Sequence, residues 1–491
     1  MIDEAPRSVE GMLRDRAGRA VRRTGISSVI VAGLQLTQAI VLARLLAPDE
    51  FGVVSLLLLA VSFGQSFADM GTSNAIIQRR ETAAEQLSSL FWLNIAAGLT
   101  LLGLVALGAP AAASFFAEPR LQTPLLLAAL IFPVTAAGQL HFALMQRELR
   151  FGYLVVVDVT SVSAGTIVTV ATVLGGQGIL AVVWGQLVTA CVRALLLLAG
   201  GARDFLPSLR FRRADLSAYI SFGLYQLGER VLGYFTWNAD KILIGRLLGT
   251  QALGYYEIAY QLVIRPVSVL NPVVTRVAFP IFARIQNDNA RLRQGYLEVI
   301  RVLAFVGMPL YLGMSAAAEP LVRALFGPGW EPAAAVLQVL ALLGLFYTLG
   351  NPLGSLLLAK GRADVGFWLH VAALIVYVFA VFIGASWGIS GVAVALVISS
   401  AFILFPLEVP IRRWLVGMRL GEYVNAFGPF LGMALAASVV VRVFDEIFSL
   451  GSPTGHLVLL VAIGAAVYLV GATVFFRPFL RSVRMTLAGG S

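Results

Sequence analysis

The sequence predicts an all-α integral membrane protein: about 14 transmembrane helices in two pseudo-symmetric six-helix lobes, with two further helices at the C-terminal end. Three observations predict it. Hydrophobic residues make up 59% of the 491 residues and charged residues only 13%, too little charge to clothe a water-soluble chain of this length. The apolar residues form continuous runs rather than amphipathic stripes, each near the ~20 residues needed to cross a hydrocarbon core. A sequence element also recurs at an offset of 202 residues, which halves the chain.

The expected spans lie near 26–46, 52–76, 87–110, 123–144, 154–174, 178–200, 217–246, 252–280, 296–318, 333–358, 365–385, 389–409, 423–443 and 457–476. Backbone polar groups in lipid are satisfied only by helices or closed barrels, and barrel strands alternate apolar with polar residues. These runs do not alternate, so they are read as helices. Residues 1–25 form an N-terminal segment with no cleavable signal peptide, and the first apolar run is a retained span. The N-lobe is 26–200, a linker covers 201–216, and the C-lobe is 217–409. The last pair of spans occupies 423–476 and the tail 477–491.

A formal net charge of +10 points to nucleic acid only in a soluble chain. Here the basic residues sit in short loops between apolar runs, where they set orientation and meet anionic lipid headgroups. With the N-terminus cytoplasmic, 25 Arg and Lys residues fall in cytoplasmic segments, from Arg7 to Arg484 and including Arg412 and Arg413. Only Arg44, Arg120, Arg246, Arg323 and Arg442 fall opposite. The bias persists to the end of the chain, which requires an even number of spans and puts both termini inside.

The repeat is RLLAPDEFGVV from Arg44 against RLLGTQALGYY from Arg246, with Gly52 matching Gly254. GILAVVWGQ from Gly178 and GISGVAVAL from Gly388 extend it at an offset of 210. Copies of six spans that each start and end inside share one orientation, so they are related by an axis along the membrane normal, an arrangement found in transporters. Neither large loops nor clustered carboxylates of a membrane enzyme are present. GQGI and GPGW are not nucleotide-binding loops, and no metal site or cofactor is expected of the lone Cys191 and of His141, His370 and His456. Cys191 is read as a small packing residue.

Polar residues inside spans are costly, so each is a site candidate. Helical spacing collects Ser62, Ser66, Asp69 and Ser73 on one face, and Glu229, Gly233, Thr236 and Asp240 on another. Glu257, Gln261, Ser268, Asn271 and Thr275 form a third stripe; Gln35 and Gln38 lie on the first span and Asp158, Ser161, Gly165 and Thr169 on the fifth. The stripes are expected to line a wet cavity between the lobes, the competing reading being close helix packing through small and hydroxyl residues. Arg230, Arg265, Gln35, Gln38, Gln261 and Asn271 are the expected substrate contacts, because an anionic headgroup needs Arg geometry and polar neighbours. Asp69, Asp158, Glu229, Asp240 and Glu257 are the expected ion-coupling residues. Arg193 and Arg276 are expected to snorkel to the interface, Lys241 to anchor there, and Pro266, Pro272 and Pro280 to bend or break their helix.

ADKILIGRLLGTQALGYYEIAYQL (Ala239 to Leu262), VAFPIFAR (Val277 to Arg284) and LARLLAPDEFGVVSLLLLAVSFGQSFADMGTSNAIIQR (Leu42 to Arg79) resemble the polysaccharide exporters of the multidrug/oligosaccharidyl-lipid/polysaccharide superfamily, closest to the Wzx-type branch. The resemblance covers nearly the whole chain. It implies 14 helices in two lobes, and a flippase for undecaprenyl-pyrophosphate-linked oligosaccharide in a bacterial inner membrane. It further implies a basic central cavity and H+ or Na+ antiport, with a glycan polymerase and glycosyltransferases as neighbours and no nucleic-acid partner. A drug or metabolite antiporter, a peptidoglycan lipid-precursor flippase and a non-transporting scaffold are the alternatives. The drug-extruding branch has 12 spans, and no arginine-rich first-span motif of the peptidoglycan-precursor branch is present.

Overall fold

A computed structural model describes residues 29–68, 76, 84–212, 217–448 and 451–475. Side chains are described throughout these ranges except at a few positions, chiefly 217–230. Among the described residues there is no strand. The first helices are α1 (Val29–Leu45) and α2 (Pro48–Ala68). They are followed by α3 (Ala84–Phe115), α4 (Gln122–Ala128), α5 (Ile131–Arg147), α6 (Phe151–Leu174) and α7 (Leu180–Gly201). Next come α8 (Ser217–Leu247), α9 (Gly249–Arg284), α10 (Asn289–Ala316), the short α11 (Ala318–Phe326), α12 (Glu331–Ala359) and α13 (Ala363–Ala385). A π turn at Ser400–Leu404 joins α14 (Gly388–Ser399) to α15 (Phe405–Val416), and α16 (Leu420–Ile447) and α17 (Pro453–Phe475) complete the order.

Ten helical stretches among the described residues are long and apolar enough to cross a membrane. The other four expected spans fall on α1, which has 17 described residues, and on α2, α8 and α9. Side chains such as Leu107, Phe402 and Trp387 are more than two-thirds exposed, which suits contact with acyl chains rather than water. Of the two outcomes expected of Pro266, Pro272 and Pro280, a bend or a break, the break does not occur: α9 is continuous from Gly249 to Arg284. Neighbouring helices can compensate for the hydrogen bond that a proline forfeits.

The chain forms two compact units, residues up to Asn238 with Gly249–Gly254, and Ala239–Leu248 with Tyr255 onward. In the first unit α6 and α7 approach through small residues. A Cβ on Gly165 would lie 1.8 Å from Thr189 Oγ1, and one on Gly185 would lie 1.8 Å from Thr169 Oγ1. Leu87, Leu90, Phe91, Leu140 and Leu144 form an apolar core in this unit with Phe205. In the second unit the large buried rings of Tyr296, Tyr311, Tyr423 and Phe430 fill the space around α10, α12 and α16.

The repeat has a direct structural counterpart inside the first unit. A Cβ on Gly52 would sit 1.8 Å from the Thr250 carbonyl oxygen, and one on Gly254 would sit 2.0 Å from the Pro48 carbonyl oxygen. Thr250 is the repeat partner of Pro48 and Gly254 that of Gly52. The two helix starts therefore meet reciprocally, as equivalent surfaces do across a two-fold axis. Beside them Arg120 donates to Asp49 at 2.9 Å and to Glu118 at 2.8 Å, and Thr250 donates to Glu118 at 3.4 Å.

Candidate functional site

The densest group of intramembrane charge in the described residues lies in the second unit, where the end of α8 meets the start of α9. Gly249, with a positive φ of 86°, closes the turn between them, so Asp240 and Lys241 face Tyr256 and Glu257 across a helical hairpin. Asp240 accepts from the Tyr256 hydroxyl at 2.6 Å and from the Lys241 backbone N–H at 2.9 Å. The Lys241 ammonium lies 2.9 Å from Glu257 Oε2 and 4.2 Å from the centre of the Tyr260 ring. Gln261, one turn on, donates to Glu257 Oε1 at 3.0 Å. Lys241 is 9% exposed and Glu257 8%, so both charges are withdrawn from solvent and lipid. Half-buried Arg265 lies on the same helix eight residues beyond Glu257.

Further along α9, Asn271 donates to the Tyr347 carbonyl at 3.4 Å and Thr275 to Asn351 at 3.2 Å. Tyr377 shares a 3.0 Å hydrogen bond with Ser400 at the start of the π turn, a helix irregularity often found at functional sites.

The structure thus brings together four of the expected residues, Asp240, Glu257, Gln261 and Arg265, and sets Asn271 farther along the same helix. Lys241, expected to be an interface anchor, is instead the buried partner of Glu257, because the hairpin puts an acid against it. In the first unit Asp158 pairs with Arg193 at 3.1 Å, and Arg193 stacks on Phe142 at 5.1 Å, so the snorkelling expected of Arg193 gives way to an ion pair. Gln38 receives from Thr166 at 3.1 Å and donates to Thr169 at 3.4 Å; Gln35 is exposed on α1. Asp69 and the side chains of Glu229, Arg230 and Arg276 lie outside the described residues.

Most hydroxyls of the expected stripes are spent on their own helices. Ser62 donates to the Leu58 carbonyl, Thr236 to Leu232, Thr169 to Gly165 and Ser268 to Arg265, at 2.8–2.9 Å. Cys191 is exposed, so it is not the packing residue expected. Arg412, assigned from sequence to a cytoplasmic loop, is 2% exposed within α15. It pairs with Glu408, donates to the Tyr296 hydroxyl at 3.0 Å and lies 4.4 Å over the Tyr423 ring. The Glu408–Arg412 spacing of four is the signal that could have found it.

Residues 41–335 match the family described as "Polysaccharide biosynthesis protein". The chain belongs to that family. It is 34% identical over 455 residues to the teichuronic acid biosynthesis protein TuaB of Bacillus subtilis (strain 168), covering 91% of this chain and 93% of that one. It is 30% identical over 440 residues to the lipopolysaccharide biosynthesis protein WzxC of Escherichia coli (strain K12), covering 88% and 89%. Among solved structures it superposes on the lipid II flippase MurJ in its inward closed conformation with a TM-score of 0.74 and 13% identity, over 93% of this chain and 99% of that one. An inward-facing multidrug resistance MATE transporter of the MOP superfamily gives a TM-score of 0.61 and 17% identity over 81% and 98%. The polysaccharide biosynthesis family member described here is therefore a multi-pass helical membrane protein with the fold shared by those two transporters.

Proposed function

We propose that this protein is a flippase that carries undecaprenyl-pyrophosphate-linked oligosaccharide repeat units across the bacterial inner membrane by alternating access. It does so for a surface polysaccharide and performs no covalent chemistry. The observation that carries the reading is that a member of a polysaccharide biosynthesis family holds a compensated cluster of acids and bases inside its helices, which a passive scaffold does not need. The names of its relatives, which include a succinoglycan biosynthesis transport protein 27% identical over 456 residues, agree with it. In this reading the chain has 14 spans in two six-helix lobes plus a final pair, both termini are cytoplasmic, and glycosyltransferases and a glycan polymerase act beside it.

Arg265, half-buried on α9 with Gln261 and Asn271 on either side, meets the anionic headgroup. Arg230, Gln35 and Gln38 are the further contacts. Asp240 and Glu257, with Asp158, Asp69 and Glu229, are the groups through which an ion gradient drives the cycle.

The test is a chromosomal deletion complemented by variants, with surface polysaccharide and cytoplasmic-face lipid-linked oligosaccharide both measured. Deletion should abolish the first and accumulate the second. Arg265→Ala and Arg230→Ala should lower export about ten-fold or more at normal membrane abundance, the size of one lost charge-assisted hydrogen bond. Normal export from both variants would remove them from the site. Sensitivity to cationic drugs without any glycan change would instead favour a drug antiporter.

A further inference from the structure

The charged hairpin of α8 and α9 has an internal control in the same chain. At the repeat offset of 202, Asp240, Lys241, Glu257 and Arg265 correspond to Gln38, Ala39, Ser55 and Phe63. The α1–α2 hairpin is built from the same motif yet carries none of the four charges. Among the described residues Gln38 bonds to Thr166 and Thr169, and Ser55 to the Phe51 carbonyl of its own helix at 2.9 Å. Packing of the hairpin does not demand the charges, so they serve something that only the second copy does.

Their arrangement says what that is. A buried carboxylate beside a half-buried one in a helix pair, as Glu257 and Asp240 are, would ordinarily draw in a metal cation or stay protonated. Here three of the four carboxylate oxygens accept a hydrogen bond, and the fourth, Glu257 Oε2, accepts none among the described residues and meets the Lys241 ammonium as an ion pair. Tyr256 and the Lys241 N–H take those of Asp240, and Gln261 and the Lys241 ammonium take those of Glu257. The ammonium is also capped by the Tyr260 ring. With Arg265 the formal charge of the group sums to zero.

We infer that Lys241 is the specificity-determining residue for the coupling ion: its ammonium is a tethered cation that fills the Asp240–Glu257 cluster and excludes sodium and potassium from it. The inference rests on the flippase reading only in calling this group the coupling site; the occupancy by Lys241 can be measured without transport. A tethered ammonium has an effective concentration far above that of any free ion, so a monovalent metal competes poorly. Removal of the ammonium leaves two carboxylates and a tyrosine hydroxyl without their cation, a set of hard oxygen donors suited to an alkali cation.

The experiment is thermal unfolding of the purified full-length protein in detergent, with sodium or potassium chloride against equal N-methylglucamine chloride. Ligand binding to the native state raises the midpoint in proportion to ln(1 + [L]/Kd). Wild type and Lys241→Arg should show no rise specific to sodium or potassium, and Lys241→Met should gain a saturable one. A metal-specific rise in the wild type overturns the inference, and that measurement does not depend on any variant folding. A well-folded Lys241→Met protein that still ignores both metals overturns it too. Flipping in proteoliposomes separates the two readings. No translocation under any gradient defeats the flippase reading and leaves the occupancy result standing. Translocation that requires sodium defeats the role of Lys241 and leaves the flippase reading intact.

Discussion

Arg412 shows how a single residue's environment can be hidden in a sequence. Its guanidinium is held by Glu408 on the same helix, by the Tyr296 hydroxyl on α10 and by the Tyr423 ring on α16. Only the first contact is local, and the RR pair at 412–413 otherwise looks like a loop signal. Breaking a buried pair by removing one partner leaves an uncompensated charge, at a cost of about 3–5 kcal/mol. Glu408→Ala should therefore lower the unfolding free energy by about that much, whereas the double change Glu408→Leu with Arg412→Met should recover most of it, because no charge is left stranded. Denaturant unfolding in mild detergent measures both, and equal losses for the single and double variants would refute the pairing. Lys241 was misread for the same reason. Its partner is one hairpin away, and a basic residue near a span end with no visible acid on its own face resembles an interface anchor.

At the scale of the element, glycine positions separate packing from flexibility. A Cβ on Gly33, in α1, would meet nothing within 4 Å, whereas one on Gly52 would overlap the Thr250 carbonyl. Gly33→Ala should then be neutral or stabilising by up to ~1 kcal/mol through helix propensity. Gly52→Ala should destabilise by about 1–3 kcal/mol or more by overpacking a backbone contact. Thermal midpoints of the two variants would settle it, and similar effects would mean that the crossing at Gly52 and Gly254 is looser than described. The repeat made these glycines readable as equivalents; that they touch one another required the structure. Arg120 beside that crossing holds the Asp49 and Glu118 carboxyls below their ordinary values, chiefly by side-chain hydrogen bonds. A carboxyl depressed in the folded state contributes stability that is fully present above its unfolded value, near 4, and is lost as pH falls through the folded one. Stability attributable to this cluster should thus be constant from neutrality to about pH 5 and then decline. Arg120→Met should flatten that acid limb relative to wild type, and an unchanged slope would show that the cluster contributes nothing.

For the whole molecule, the apolar runs carried nearly all that could be read. Each expected span beyond the first 28 residues falls largely on a described helix, because span length is dictated by bilayer thickness and needs no tertiary information. What could not be read was partnership between helices: the burial of Arg412, the pairing of Asp158 with Arg193, and the bonding of most stripe hydroxyls to their own helix backbone. Sidedness stands between these two levels, since it depends on charge in loops rather than on contacts. Ion pairing does not set it, for loops on both expected sides pair their arginines, as Arg150 does with Asp204 and Arg120 with Asp49. The count of cations flanking the spans does. Fourteen spans with that bias require reporter fusions in the loops at 147–150, 202–212 and 360–362, and at the C-terminus, to behave as cytoplasmic. Fusions at 116–118, 248 and 327–329 should behave as extracytoplasmic. Paired green fluorescent protein and alkaline phosphatase fusions give opposite signals on the two sides. A C-terminus that reports opposite to the loop at 147–150 would make the number of spans after that loop odd and remove one of the fourteen, with α8 or α9 the first to re-examine, because they are the two expected spans after that loop that are not among the ten apolar stretches.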